Sequence, residues 1–178
     1  VVESTALADA EVEYQDHISN QIYVSFNLKT EFRGHKNIRI LIWTTTPWTI
    51  PCNRALAYNP DLDYGIYENK EKEKFIIAKD LIDNFTDVTQ LHLELIDTFN
   101  GKELEKLVAI HPFVELGYDY DVPLLNADFV TTDQGTGIVH VAPSHGPDDF
   151  ALGLKNGIKA ENTICLLYTS DAADDRMR

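Results

Sequence analysis

A mainly β fold of the α+β class, a closed or nearly closed barrel with short helices around it, is predicted by three features of this sequence. Short runs of alternating or continuous apolar residues recur along the chain. Helical periodicity is confined to brief stretches, and strands do not alternate with helices as in a doubly wound sheet. At 178 residues the chain is long enough to bury roughly 70% of the surface it exposes when unfolded, so one substantial core is expected.

The elements follow in order. Ile22, Val24, Phe26 and Leu28 alternate with Tyr23, Ser25 and Asn27, the pattern of a half-buried strand, and Glu11 to Asp16 is its expected partner across a turn at His17 to Asn20. Ile38 to Thr44 is a nearly continuous β-branched run, read as a buried strand that ends where Pro47 and Pro51 cannot donate to a ladder. Ala55 to Tyr58, Tyr64 to Glu68 and Phe75 to Ala78 read as strands, the last two joined by a Lys/Glu-rich turn, and Leu91, Leu93 and Leu95 alternate as another. Residues 79–86 and 102–107 read as short helices. Val130 to Thr132 and Ile138 to Ala142 flank a Gln-Gly-Thr-Gly turn and predict a hairpin. Pro147 suits the first position of a helix, with Asp148 and Asp149 near its positive end and Gly157 as its stop.

The net charge of −14 argues against a protein whose main task is to hold nucleic acid by its phosphates, though not against a domain that meets only its tip. Lys29, Arg33, Lys36 and Arg39, with Glu31 the single acid among them, are either a solvated loop or a small phosphate-facing patch. Cys52 and Cys165 make no disulfide framework and have no metal-ligand spacing. No apolar run reaches the roughly 18 residues of a membrane helix, so no membrane partner is expected. A reducing compartment follows, the cytoplasm or an organellar matrix.

Two segments concentrate polar chemistry. In Ile40 to Ala55, ILIWTTTPWTIPCNRA, three threonines between Trp43 and Trp48 gather hydroxyls and backbone amides at a strand end. In Gly135 to Phe150, GTGIVHVAPSHGPDDF, two histidines and two aspartates lie on a strand, a loop and a helix start, which suggests a polar pocket with a carboxylate available to a cation. Each residue also has a plain structural use: threonine suits strands, a lone histidine is most often structural, and acids favour helix starts. Ser144 lacks the nucleophile-elbow pattern, and His140, His145 and Asp149 match no familiar zinc spacing, so no metal is expected.

Together these segments resemble the editing domain inserted in class I isoleucyl-tRNA synthetases. The opening TALADAEVEY is similar to the family's entry into that domain, and the match runs from residue 1 to about 164. Thr46 before Pro47, His140 and the His145-Gly146 pair favour the isoleucyl branch over its valyl and leucyl relatives. The resemblance implies a six-stranded type of barrel and hydrolysis of the ester joining valine to the 3′ end of isoleucine tRNA, by a monomer, with no DNA partner. One methylene distinguishes the two amino acids by only roughly 1–3 kcal/mol, a range for which synthetases of this family are themselves the standard example. A second pocket that admits valine and excludes isoleucine removes the error.

By the same resemblance Asp149 binds the α-ammonium and His140 lines the side-chain pocket. Thr44, Thr45 and Thr46 pack around the substrate, with Thr45, Thr46 and Asp149 carrying the catalysis, and Trp48 and Asn53 shape the adenosine end. Water is the nucleophile, and no cofactor is implied. The His-Ile-Gly-His and Lys-Met-Ser-Lys-Ser signatures are absent from this sequence, so ATP and Mg are expected only with the catalytic domain of a full-length ligase. After Ile164, CLLYTSDAADDRMR (Cys165 to Arg178) shares no pattern with the preceding chain and resembles translated sequencing adapter. Residues 1–164 are thus expected to be an editing domain incomplete at its C-terminal end, and 165–178 a non-native tail. A metal-dependent hydrolase and a non-catalytic module that docks a tRNA end are the alternatives.

Overall fold

In the computed structural model of the chain, residues 21–160 are described. The expected strand over Glu11 to Asp16 and the tail after Ile164 lie outside them.

Among the described residues, nine strands form one mixed sheet. β1 (Ile22–Leu28) and β2 (Ile38–Thr44) run antiparallel, with Phe26 opposite Ile40. β5 (Lys74–Ala78) lies parallel to β2, and β4 (Asp63–Glu68) pairs antiparallel with β5. β6 (Glu94–Asn100) pairs with β4 on its other side. From β1 the sheet continues through β7 (Val108–Ile110) and β8 (Asp121–Asn126). It ends with β3 (Ala55–Tyr58), parallel to β8, and β9 (Ile138–Val141), antiparallel to β3. The spatial order is thus β6-β4-β5-β2-β1-β7-β8-β3-β9.

Of the closed or nearly closed barrel expected from the sequence, the closed form is not seen among the described residues. Among the described residues, β6 and β9 are the two ends of the sheet and no ladder joins them. The sheet instead curls until the start of β9 rests on β2 and β5 through isolated bonds. Thr136 donates its hydroxyl to Leu41 O (2.6 Å), its own carbonyl accepts the Ala78 N–H (2.8 Å), and the buried Tyr64 hydroxyl donates to Gly137 O (2.8 Å). Gly137 makes this approach possible. Its φ is +75°, and a Cβ there would collide with the Cβ of Ala78.

The main core fills the concave side with Phe26, Ile40, Ile42, Leu56, Tyr58, Tyr64, Ile66, Ile76 and Phe85, among others. Phe85 comes from α1 (Ile82–Thr89), which ends at Gln90 in the left-handed conformation. A smaller cluster of Ala55, Ala57, Val130, Val141 and Leu152 fixes α2 (Pro147–Lys155) against β3 and β9. α2 begins at Pro147, as the sequence predicts, and Gly157 follows it with φ +71°.

Other expectations shift. The helix read over 79–86 is a 3-10 turn at Lys79–Leu81 followed by α1, and in place of the 102–107 helix there is a 3-10 turn at Gly101–Leu104. Leu91 and Leu93 precede the strand they were expected to join, because the ladder to β4 starts with Glu94 opposite Glu68. Val130 to Thr132 is not a strand. β9 takes the distant β3 as its partner, and the expected hairpin becomes a loop beside the site. β7 and β8 had no forecast, since three residues and a Pro123-containing run carry little strand signal. The basic cluster is neutralised locally. Lys29 pairs with Asp121 (2.5 Å), Arg33 with Asp97 (2.7 Å) and Glu103 (2.6 Å), Lys36 with Glu31 (3.8 Å) and Arg39 with Glu73 (2.8 Å). That favours the solvated loop over a phosphate-facing patch.

Candidate functional site

β2 ends at Thr44, and Pro47 starts a 3-10 segment, Pro47–Cys52, so Thr45 and Thr46 form the bend between them. Local hydroxyl bonds hold that bend. Thr44 Oγ1 accepts the N–H of Thr46 (3.0 Å) and lies 3.2 Å from Thr46 Oγ1. One turn on, Thr49 donates its backbone N–H (3.0 Å) and its hydroxyl (2.8 Å) to Thr46 O. Thr44, Thr46 and Thr49 thus serve as turn formers, and their hydroxyls end up packed in one small volume.

Asp149 is the third residue of α2. Its Oδ2 accepts the N–H of Ala142, the residue that follows β9, at 2.8 Å. The carboxylate therefore staples the helix start to the strand end. Burial raises its pKa above the ordinary carboxylate value, the Ala142 bond opposes that, and the neighbouring Asp148 adds to it. A cation placed against this group would draw it back toward the ionised form.

The curl of the sheet brings these parts together. A cleft of about 320 Å³ is lined by Thr44, Thr45, Thr46, His140 and Asp149, with Trp43, Phe129 and the Gln134–Gly137 loop completing its walls. His140 is 7% exposed, its Nε2 lies 3.0 Å from Thr49 Oγ1, and its buried Nδ1 has no partner. Burial, followed by the nearby His145 and His111, pushes its pKa down to about 4, so the ring is neutral at pH 7.

Two residues assigned to the site by resemblance stand outside this cleft. Trp48 is 44% exposed on the 3-10 segment and does not line it. Asn53 is fully buried, with Nδ2 donating to Ala55 O (2.8 Å) and its backbone carbonyl accepting from the Tyr120 hydroxyl (2.7 Å) and the Arg54 guanidinium (3.1 Å). Its contacts brace the chain between the 3-10 segment and β3. His145 also turns away from the cleft, its Nε2 lying 3.2 Å from Cys52 Sγ. Among the described residues, no three His, Cys, Asp or Glu side chains gather as a metal site would require.

Sequence reasoning missed Thr49, whose signal was its spacing of three from Thr46 across Pro47. It missed Phe129 as well, 38% exposed at the cleft wall, for which the sequence carries no signal.

No family model matches the chain. Over 92% of its length it is 54% identical to the isoleucine–tRNA ligase of Pelagibacter ubique (strain HTCC1062) and 45% identical to that of Gluconobacter oxydans (strain 621H). The ligase of Agrobacterium fabrum (strain C58) is 44% identical over 84% of the chain. The chain spans only 16–19% of the length of these relatives. Among solved structures, GlLeuRS-CP1 superposes with a TM-score of 0.62 at 21% identity, covering 79% of this chain and 66% of that one. The P. knowlesi cytosolic leucyl-tRNA synthetase editing domain gives 0.63 at 15% identity, covering 74% and 59%. At such identities the likeness is one of fold. Sequence and fold together place the chain, over the part they match, in the isoleucine–tRNA ligase family, as a segment folded like the synthetase editing domains.

Proposed function

We propose that this segment hydrolyses the ester of valine wrongly attached to the 3′ end of isoleucine tRNA, within a ligase whose other domains bind ATP and attach isoleucine. The observation that supports this reading is the single cleft shared by the threonine bend and Asp149. Asp149 anchors the α-ammonium by a charge-assisted bond in a partly dry site, which fixes the amino acid by a group that every aminoacyl ester carries. The neutral His140 and the threonine hydroxyls limit the space beyond it, so a side chain one carbon larger is excluded by contact rather than by lost attraction. The hydroxyls of Thr45 and Thr46 hold the ester and a water. The water oxygen adds to the ester carbonyl, the bond to the ribose oxygen breaks, and that oxygen takes up a proton as it leaves. The soluble products are valine and intact tRNA. Residues 1–164 constitute the editing portion in this reading, and 165–178 play no part.

The test is deacylation of valyl-tRNA(Ile) against isoleucyl-tRNA(Ile) by the chain, with and without a chelator. Selective, chelator-insensitive loss of valine is expected. Tight tRNA-end binding without cleavage would replace the hydrolase by a docking module, and loss of activity with chelator would replace it by a metal enzyme.

A further inference from the structure

We propose that a second cavity beside the cleft, walled by Asn126, Asp128, Phe129, Asp148 and Lys155, holds the base of the nucleotide that precedes the esterified adenosine, and that its carboxylates select cytosine. This deepens the hydrolase reading and rests on it for the position of the ester. The cavity measures about 260 Å³. It shares Phe129 with the wall of the cleft, and α2 serves both spaces: Asp149 lines the cleft, and its neighbour Asp148 lines the cavity. Two spaces divided by one side chain suit two successive nucleotides of a single strand. Phe129 is held in place as that divider. Before it, Ala127 donates its N–H to Tyr58 O (2.9 Å). After it, Val130 O accepts from Asn59 Nδ2 (2.9 Å), and the Val130 side chain joins the buried cluster that contains Leu152. With Ala127 and Val130 buried, Asp128 and Phe129 form the outward part of the turn, and Phe129 keeps 38% of its surface exposed. An aromatic ring anchored on both sides and open to solvent is a stacking platform for a base.

The polar lining decides which base. Among the described residues, the side chains of Asn126, Asp128, Asp148 and Lys155 make no hydrogen bond or ion pair within the chain, so all four are available to a ligand. A carboxylate only accepts. It therefore bonds the exocyclic amine of cytosine and is repelled by the O4 that uracil carries at the same place. The Asn126 amide and the Lys155 ammonium donate to the acceptors beside that amine, N3 and O2. One ammonium against two carboxylates leaves the cavity negative, so it draws the edge of a base and not a phosphate. That agrees with a chain of net charge −14, which gains little from the phosphates of its partner.

The probes are the 3′-O-valyl esters of adenosine, CpA and UpA, cleaved by the full chain. The CpA ester should exceed both others in kcat/KM by about tenfold, the scale of one well-matched base contact. Changing Asp128→Asn and Asp148→Asn together should bring CpA and UpA within about twofold of each other. Phe129→Ala should bring CpA within about twofold of adenosine. Each comparison is a ratio within one protein, so a general loss of folded material does not alter it. Equal rates for CpA and UpA in the unaltered chain, or an undiminished CpA advantage in either variant, would overturn the site. Binding of the unesterified dinucleotides, followed by NMR titration, separates this site from the hydrolase reading. If no valyl ester is cleaved while CpA binds more tightly than UpA, and the paired aspartate change removes that difference, the hydrolase reading fails and the base site stands. Equal binding of CpA and UpA refutes the site itself.

Discussion

Asp149 reaches from the first turn of α2 to the backbone N–H of Ala142 at the end of β9, a bond of 2.8 Å that spans the Pro-Ser-His-Gly loop between them. One carboxylate oxygen thereby has a structural task. Within the proposed reading, the carboxylate also anchors the substrate.

Replacing Asp149 separates these two tasks. Asp149→Ala should reduce valyl-ester cleavage by about a hundredfold or more, the scale of a lost charge-assisted anchor, and lower stability by only about 1–2 kcal/mol for the Ala142 bond. Deacylation rates and urea midpoints measured side by side check this. Full activity in the variant would remove Asp149 from the mechanism.

Shortening Thr46 tests the sieve. Its half-buried hydroxyl packs between those of Thr44 (3.2 Å) and Thr49 (3.4 Å) at the cleft wall. Thr46→Ala should admit the correct isoleucyl ester, narrowing the preference for valine by about tenfold, the worth of roughly one methylene contact. Competition between the two charged tRNAs measures it, and unchanged selectivity would place the size limit elsewhere.

Acid should destabilise the fold through His140. Its pKa is depressed from 6.5 to about 4, so below pH 6.5 the unfolded chain takes up a proton that the folded chain refuses. Stability is unaffected above pH 6.5 and falls as pH drops from there toward 4, by up to about 3 kcal/mol. His140→Gln should flatten that part of the curve. Denaturation midpoints that do not differ in slope between the two proteins would contradict the buried neutral ring.

Asp149 shifts the other way. Because burial raises its pKa, activity that needs the carboxylate should fail at a higher pH than an ordinary aspartate would allow. Bound ammonium favours the ionised form, so the acid limb of kcat should lie at lower pH than that of kcat/KM. Coincident limbs would show that no cation meets this group.

Gly137→Ala should be costly for a geometric reason. The position combines φ of +75° with a Cβ path into Ala78, and it carries the loop that rests β9 on β5. A loss of about 2–4 kcal/mol is expected from left-handed strain plus overpacking. Thermal melting checks it, and the paired change Ala78→Gly should restore part of the loss.

Much of this was legible beforehand because local physics fixes it. The alternation in β1, the β-branched run of β2, Pro47 and Pro51 as breakers, and Pro147 as a helix start each depend on residues close in sequence, and each element forms where expected. The threonine bend and Asp149 were marked by composition and by resemblance for the same reason: each is a compact, unusual cluster. The partners were not local. β9 chose β3 rather than the neighbouring Val130 to Thr132, and His140 met Thr49 across 91 positions. Among the described residues the sheet is open, and Thr136 and Gly137 dock on β2, β4 and β5 by single bonds. Sequence alone therefore determined the strand-rich class, the turn chemistry and the family. Tertiary structure decided which of those turns face one another, since a side chain's company in space depends on pairings whose loop-closure cost and packing reward no short segment encodes.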